Sequence, residues 1–246
     1  MLREAERQDF LENHLLRSLS FEERSRLCPN MQHIYLPLSH VVHESGGFLD
    51  YVYFPTTCIV SCLYTMRDGS TAEMALAGND GVIGTALFLG GGTAPHRAVV
   101  QIGGYAIRIP ARSLQAEFSR GGLLHHTLLR YTQALIIQIS QTAVCNRLHS
   151  VEKRLCRWLL LCHDRISGSE IRMTQEYIAN MLGGRRESVT VAAGHLQDIG
   201  LIHYSRGHIT ILDRKGLEKM VCECYRIVED EHDRLILSRR GRELSK

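Results

Sequence analysis

The chain has 246 residues, 44% of them hydrophobic and 22% charged, the balance of a folded protein rather than a disordered one. Lys and Arg number 29 against 26 Asp and Glu, a net charge of +3 that excludes a strongly basic nucleic-acid tail but leaves room for a local basic face. The eight cysteines form no dense framework, residues 1–7 are charged and lack a signal-peptide core, and no uncharged apolar run reaches the roughly 18 residues of a membrane span, so the expected setting is a reducing cytoplasm with no membrane partner.

Residues 1–28 read as helical on Phe10, Leu11, His14, Leu15, Leu16 and Leu19, with Ser20 as a cap before Phe21-Glu22-Glu23. From 32 to 110 the pattern shortens. Strands are expected at Ile34-Tyr35-Leu36, Val41-Val42-His43, residues 51–54, 59–64, 72–76, 97–101 and 105–109, separated by glycine and short polar turns. Many short strands with regular turns indicate an antiparallel barrel or roll. Pro110 closes this region, and a short helix is expected over 111–118.

A long helix is expected over 122–147. Leu124, Leu128, Tyr131 and Leu135 recur at helical spacing, and Gln138, Thr142, Cys145 and His149 continue the stripe with weaker apolarity. Such a stripe suits pairing with a second subunit, the reading taken here, or packing on the chain's own roll. Its polar second half would then sit nearer solvent or a domain boundary.

Beyond residue 150 the chain reads as mostly helical. Leu155, Trp158, Leu159 and Cys162 mark one side of a helix, a satellite core. Thr174 caps a short helix that Gly183-Gly184 ends, and a second helix runs from near Arg185 to Ile199 before Gly200. Residues 201–204 and 208–212 then form a hairpin around Ser205-Arg206-Gly207, and a last helix is expected over 217–236. Two short helices, a tight glycine turn and a hairpin make a winged helix-turn-helix.

The second short helix buries Val189, Ala193 and Leu196, which leaves Arg185, Arg186, Glu187, Ser188 and Thr190 free at its amino end. Such an end suits a major groove: arginine bridges guanine O6 and N7, glutamate accepts from cytosine N4, and hydroxyls reach phosphate or a base edge. Arg206 in the wing and Thr174 at the first helix start suit backbone phosphates. The implied partner is double-stranded DNA. The competing reading is a roll-type small-ligand sensor whose winged domain contacts protein.

The stretches Leu182-Gly183-Gly184-Arg185-Arg186-Glu187-Ser188-Val189 and Leu196-Gln197-Asp198-Ile199-Gly200-Leu201-Ile202 resemble the winged helix-turn-helix of the Crp/Fnr family of bacterial transcription regulators. Gly78-Asn79-Asp80-Gly81-Val82-Ile83-Gly84 resembles part of that family's cyclic-nucleotide-binding-like roll, and residues 122–147 resemble its dimerisation helix. The resemblance implies an α+β chain: an N-terminal antiparallel β-roll with flanking helices as sensor (1–120), a dimerisation helix (121–149) and a C-terminal winged helix-turn-helix (150–246). It also implies a homodimer on a pseudo-palindromic operator, contact with RNA polymerase, an unidentified small-molecule effector and no enzymatic activity.

The family's base-reading arginine and glutamate fall on Arg186 and Glu187, and a second reading arginine of the nucleotide-responsive members falls on Val191, so a different operator is expected. The candidate effector pocket comprises Gly84, Thr85, Arg97 and Ala98. Thr85 replaces the carboxylate that holds a ribose and Ala98 the hydroxyl that holds a cyclic phosphate, so control by cyclic AMP is not expected. Only Cys28 lies near the amino end, which argues against the family's iron–sulfur cluster. His14, His33, His40, His43 and His96 are haem-ligand candidates by residue type alone. Cys58 and Cys62 read as packing residues. Cys222 and Cys224, two apart in an expected helix, point away from one another, so no metal site is assigned.

Overall fold

The computed structural model describes residues 11–166 and 168–237. The expected helical signal before residue 11 and the last residues beyond 237 lie outside these. Two short helices, α1 (His14–Arg17) and α2 (Phe21–Leu27), open the described chain. Ser20 caps α2 in a capping box with Glu23, as its position implied. Asn13 caps α1, and its amide also donates to the carbonyls of Pro55 and Gly81, which ties α1 to the sheets.

Seven strands follow: β1 (Gln32–Leu36), β2 (Val41–His43), β3 (Tyr51–Pro55), β4 (Ile59–Thr65), β5 (Thr71–Ala77), β6 (Arg97–Ile102) and β7 (Gly104–Pro110). They form two antiparallel sheets, β1-β7-β3 and β2-β6-β4-β5. Their inner faces enclose Leu36, Cys58, Val60, Cys62, Ala75, Ala98, Val100 and Ala106. This is the expected roll, with strand ends moved by one or two residues. Helix α3 (Ala111–Phe118) and the 26-residue α4 (Leu123–Leu148) follow.

The stripe on α4 faces inward. Leu124, Leu128 and Tyr131 join Val52, Phe54, Ile107 and Ile109 in the roll's own core, and Leu135 packs beside them. Their proposed role as the subunit-pairing face is therefore corrected: apolar residues at this spacing are already satisfied within one chain. The outward residues are His126, Leu129, Gln133, Ile136, Ser140, Ala143 and Arg147, at alternating spacings of three and four. That spacing averages 3.5 residues, the repeat that coiled coils use. The polar continuation of the inward stripe lies at the domain boundary. Gln138 accepts from the Leu76 backbone of β5 (2.9 Å), and Thr142 accepts from Arg157 (2.9 Å).

The remainder comprises α5 (Val151–His163), β8 (Glu170–Arg172), α6 (Gln175–Leu182), α7 (Arg186–Asp198), β9 (Ile202–Ser205), β10 (His208–Ile211), α8 (Arg214–Met220) and α9 (Glu223–His232), with a final turn at Asp233–Leu237. Three findings differ from the sequence reading. Helix α5 is buried without a break from Leu155 to Cys162, because it lies between the winged elements and the roll residues Ile59 and Leu76; it is a central helix and not a satellite. β8 adds a third strand to the hairpin, in the order β8-β10-β9. The single last helix is two, parted at Val221, whose extended backbone ends α8 before Cys222 starts α9.

The roll bears directly on the helix-turn-helix: Met181 of α6 packs against Leu63 of β4 and Val99 of β6. Beside this contact Glu73 is buried, hydrogen-bonded to Ser61 (2.5 Å). Burial pushes its carboxyl up to about 7, against the opposing pull of the Ser61 hydroxyl and the Arg157 charge. Between the ordinary value of 4.5 and about 7 the folded chain keeps a proton that the unfolded chain gives up, so stability falls as pH rises through that window. Glu73→Gln should therefore stabilise the chain near pH 8 by on the order of 3 kcal/mol and leave it little changed near pH 4. Denaturant unfolding across pH checks this. Glu229, also pushed up to about 7 by burial, retains its own share of the decline.

Candidate nucleic-acid interface

Helix α6 begins at Thr174, whose hydroxyl accepts from the Tyr177 amide, and ends at Gly183 in the left-handed region (φ 59°). Arg154 of α5 donates to the Leu182 carbonyl (2.8 Å), so the turn is also held from beneath. Arg185, extended, is the cap of α7, and Arg186 is its first residue. Val189, Ala192, Ala193 and Leu196 bury one face of α7 in the core. Arg185, Arg186, Glu187, Ser188, Thr190 and Val191 lie exposed on the other, Val191 at 73%. The sequence placed this amphipathic division correctly.

The wing turn consists of Arg206 and Gly207, both at positive φ (50° and 80°), the two-residue hairpin geometry that matches strand twist. Its base is fixed to α7 and to the residue that precedes the α6 cap. Gln197 of α7 accepts from the Tyr204 amide (2.7 Å), and the Tyr204 hydroxyl donates to the Met173 carbonyl (3.0 Å).

Thr174, Gln175, Glu176, Arg186, Tyr204, Arg206 and Gly207 line one open cleft between α6, the start of α7 and the wing. The structure thus brings Thr174, Arg186 and Arg206 together. Arg185, Glu187 and Ser188 lie exposed outside the cleft lining. Thr190 has a different place from the one expected: its hydroxyl donates to Gln175 (2.8 Å) or to the Arg186 carbonyl (3.0 Å), which clips the two helices together. Gln175, missed by sequence reasoning, is the other half of that clip. His195 of α7 pairs with Glu152 of α5 (2.5 Å).

The candidate effector residues do not form one pocket. Gly84 (φ 106°) and Thr85 line a small cavity with His43, Leu49, Ala94 and His96 that has room for about one water. Arg97 turns instead to Glu44 (3.1 Å), and Ala98 is wholly buried, cross-strand from Cys62 and His43. Of the five histidines considered for haem, His43 and His96 meet, with ring centroids 5.8 Å apart. Burial, aided by His96, lowers the His43 imidazole to about 4.

Residues 153–220 match the Crp-like helix-turn-helix domain family. Solved structures resemble the chain well beyond that segment. FixK2 from Bradyrhizobium japonicum superposes with a TM-score of 0.67 at 17% identity, over 78% of this chain and 98% of that one. A transcriptional regulator of the crp/fnr family from Eubacterium rectale gives 0.63 at 18%, over 84% and 96%. The chain has the Crp/Fnr transcription-regulator fold. The c-di-GMP-responsive global regulator CLP of Xanthomonas campestris also resembles it, with a TM-score of 0.62 at 17% identity over 79% of this chain and 100% of that one. No curated protein matches the sequence. No described helix is long and apolar enough to cross a membrane.

The two glycines of the turn differ in kind. A Cβ at Gly183 meets no atom within 4 Å but would sit on a left-handed backbone, whereas Gly184 lacks positive φ and its Cβ would meet Val151 at an ordinary 3.8 Å. Gly183→Ala should cost about 1–2 kcal/mol and Gly184→Ala far less. Urea midpoints at unchanged slope measure the contrast.

Proposed function

We propose that the chain is a sequence-specific regulator that binds a pseudo-palindromic operator as a homodimer and does so without cyclic AMP. The observation that carries this reading is the exposed amino end of α7, where Arg186 and Glu187 stand free beside the wing arginine while the rest of the helix is anchored in the core. Arg186 reads guanine, Glu187 reads cytosine, and Thr174 and Arg206 hold phosphates on either side of the cleft. Arg185 and Ser188 flank the readers as further backbone contacts. Val191 has no hydrogen-bonding group, so at its position a thymine methyl is preferred to guanine.

The dimer face in this reading is the outward seam of α4, centred on Leu129, Ile136 and Ala143. Two subunits paired there set their α7 helices for half-sites about 34 Å apart. Residues 1–120 then serve as sensor, 121–149 as the dimerisation helix and 150–246 as the DNA-binding domain. Independence from cyclic AMP is supported by the near-filled cavity beside Gly84 and Thr85, the engagement of Arg97 with Glu44, and the burial of Ala98.

Arg186→Ala should lose about 1–3 kcal/mol on the preferred operator and less on random DNA. Arg206→Ala should weaken both similarly and reduce the log-log salt slope by about one per subunit. Fluorescence anisotropy across a salt series reads both effects, and equal losses for Arg186→Ala on the two DNAs would reject it as a base reader. A flat salt response with no binding to any genomic fragment would favour the protein-contact role for the wing.

Ile136→Glu should yield a folded monomer, because Ile136 is 57% exposed in the single chain. Leu128→Glu should instead prevent folding, since Leu128 is 0% exposed in the roll's core. Sedimentation velocity with circular dichroism separates the two outcomes.

A further inference from the structure

Cysteines 145, 222 and 224 and His149 come together although the sequence holds them far apart. Their four ligand atoms all lie within 4.8 Å of one another. Cys145 Sγ is 3.6 Å from Cys222 Sγ, and Cys224 Sγ is 3.6 Å from His149 Nδ1. Cys145 is in the last turn of α4, and His149 caps that helix. Cys222 is the cap of α9, not a residue inside it, so its side chain departs from the helical direction and converges with that of Cys224. This is why the expectation of opposed cysteines fails.

We propose that these four residues form a zinc site that pins the carboxyl end of α4 to α9. A tetrahedral zinc ion with Zn–S bonds of about 2.3 Å and Zn–N bonds of about 2.0 Å places its ligands roughly 3.5–3.8 Å apart along each edge. The Cys145–Cys222 and Cys224–His149 contacts fall in that range, whereas a disulfide requires sulfurs about 2.05 Å apart. Three thiolates and one imidazole are a complete structural set with no position left for water or substrate. The three cysteines are buried, as a closed site requires.

The surroundings fit the same ion. His149 turns its other nitrogen, Nε2, to Glu223 at 3.5 Å, the carboxylate–histidine–metal arrangement that orients a ligand imidazole. Zinc with three thiolates carries a net charge of −1, and the buried Arg157 guanidinium acts electrostatically on Cys145 and Cys224. Cys58 and Cys62 lie apart from this group, in the core between the two sheets of the roll. Among the described residues, this cluster alone combines at least three potential ligand side chains at such spacing. Binding would displace the remaining thiol protons to the buffer while the imidazole donates its Nδ1 lone pair.

The test uses the full chain, purified under reducing conditions, stripped with chelator and reloaded. About one zinc per chain is expected, with protons released on binding in calorimetry and a raised thermal midpoint. Cobalt(II) used as the probe should give the intense visible bands of a tetrahedral ion together with sulfur-to-metal charge transfer. Cys145→Ser with Cys224→Ser should abolish both signals, and Glu223→Gln should weaken zinc binding by about 10–100-fold without removing it. The site is overturned if the reduced wild-type chain takes up no stoichiometric zinc. Cobalt spectra of octahedral form, the same metal content in the double variant, or an iron–sulfur chromophore at these cysteines would overturn it equally. The cobalt spectrum of the wild-type chain decides the matter even if the double variant fails to fold.

Discussion

The arrangement of the domains depends on one buried ion pair. Arg165, just beyond α5, places its guanidinium 2.6 Å from Asp80 in the roll, with both side chains nearly removed from solvent. Glu229 and His232 of α9 approach from the other side, at 3.8 Å from Arg165 and 3.6 Å from Asp80. The turn that carries Asp80 is shaped by this contact: a Cβ on Gly78 would lie 2.6 Å from the Arg165 side chain, and one on Gly81 would lie 2.6 Å from the Tyr131 hydroxyl. Such a pair adds little net stability over a matched apolar contact, but loss of one partner leaves a buried charge at a cost of about 3–5 kcal/mol. Its effect is on geometry: it selects one placement of α5 and α9 against the roll.

Helix α4 serves two sides at once. Its inward face begins as roll core, continues as hydrogen-bond partners for β5 and α5, and ends in the thiol and imidazole cluster. Decreasing apolarity along that face follows the change in neighbour from sheet to domain boundary. The outward face keeps a regular 3.5 period with modest apolar residues, a composition compatible with exposure to solvent.

Much of this was legible in the chain. Period-two strands, the Ser20 and Thr174 caps, the glycine break at 183 and the hairpin at Arg206-Gly207 are local signals, and each lies where local chemistry requires it. The choice of face on α4 was not legible, because Ile136, Ile137 and Ile139 make both sides apolar and periodicity cannot say which side meets the chain's own sheets. The break at Val221 carries no glycine or proline to announce it. The place of Cys145 and His149 beside Cys222 and Cys224 depends on tertiary closure across more than 70 residues. In the candidate interface, the Arg186-Glu187 pair could be read directly. The role of Thr190 could not, since its partner Gln175 belongs to another helix.

The seat of Met181 on Leu63 and Val99 bears on how the molecule comes apart. The helix-turn-helix shares apolar surface with the sheet beneath it, and α5 is sandwiched between the two halves. A fragment severed near residue 150 would leave a hydrophobic scar on both pieces. Neither half is then expected to be an autonomous module in solution: the two should melt as a single cooperative unit, and a protease cut at the connection should yield aggregation rather than a soluble carboxyl-terminal fragment.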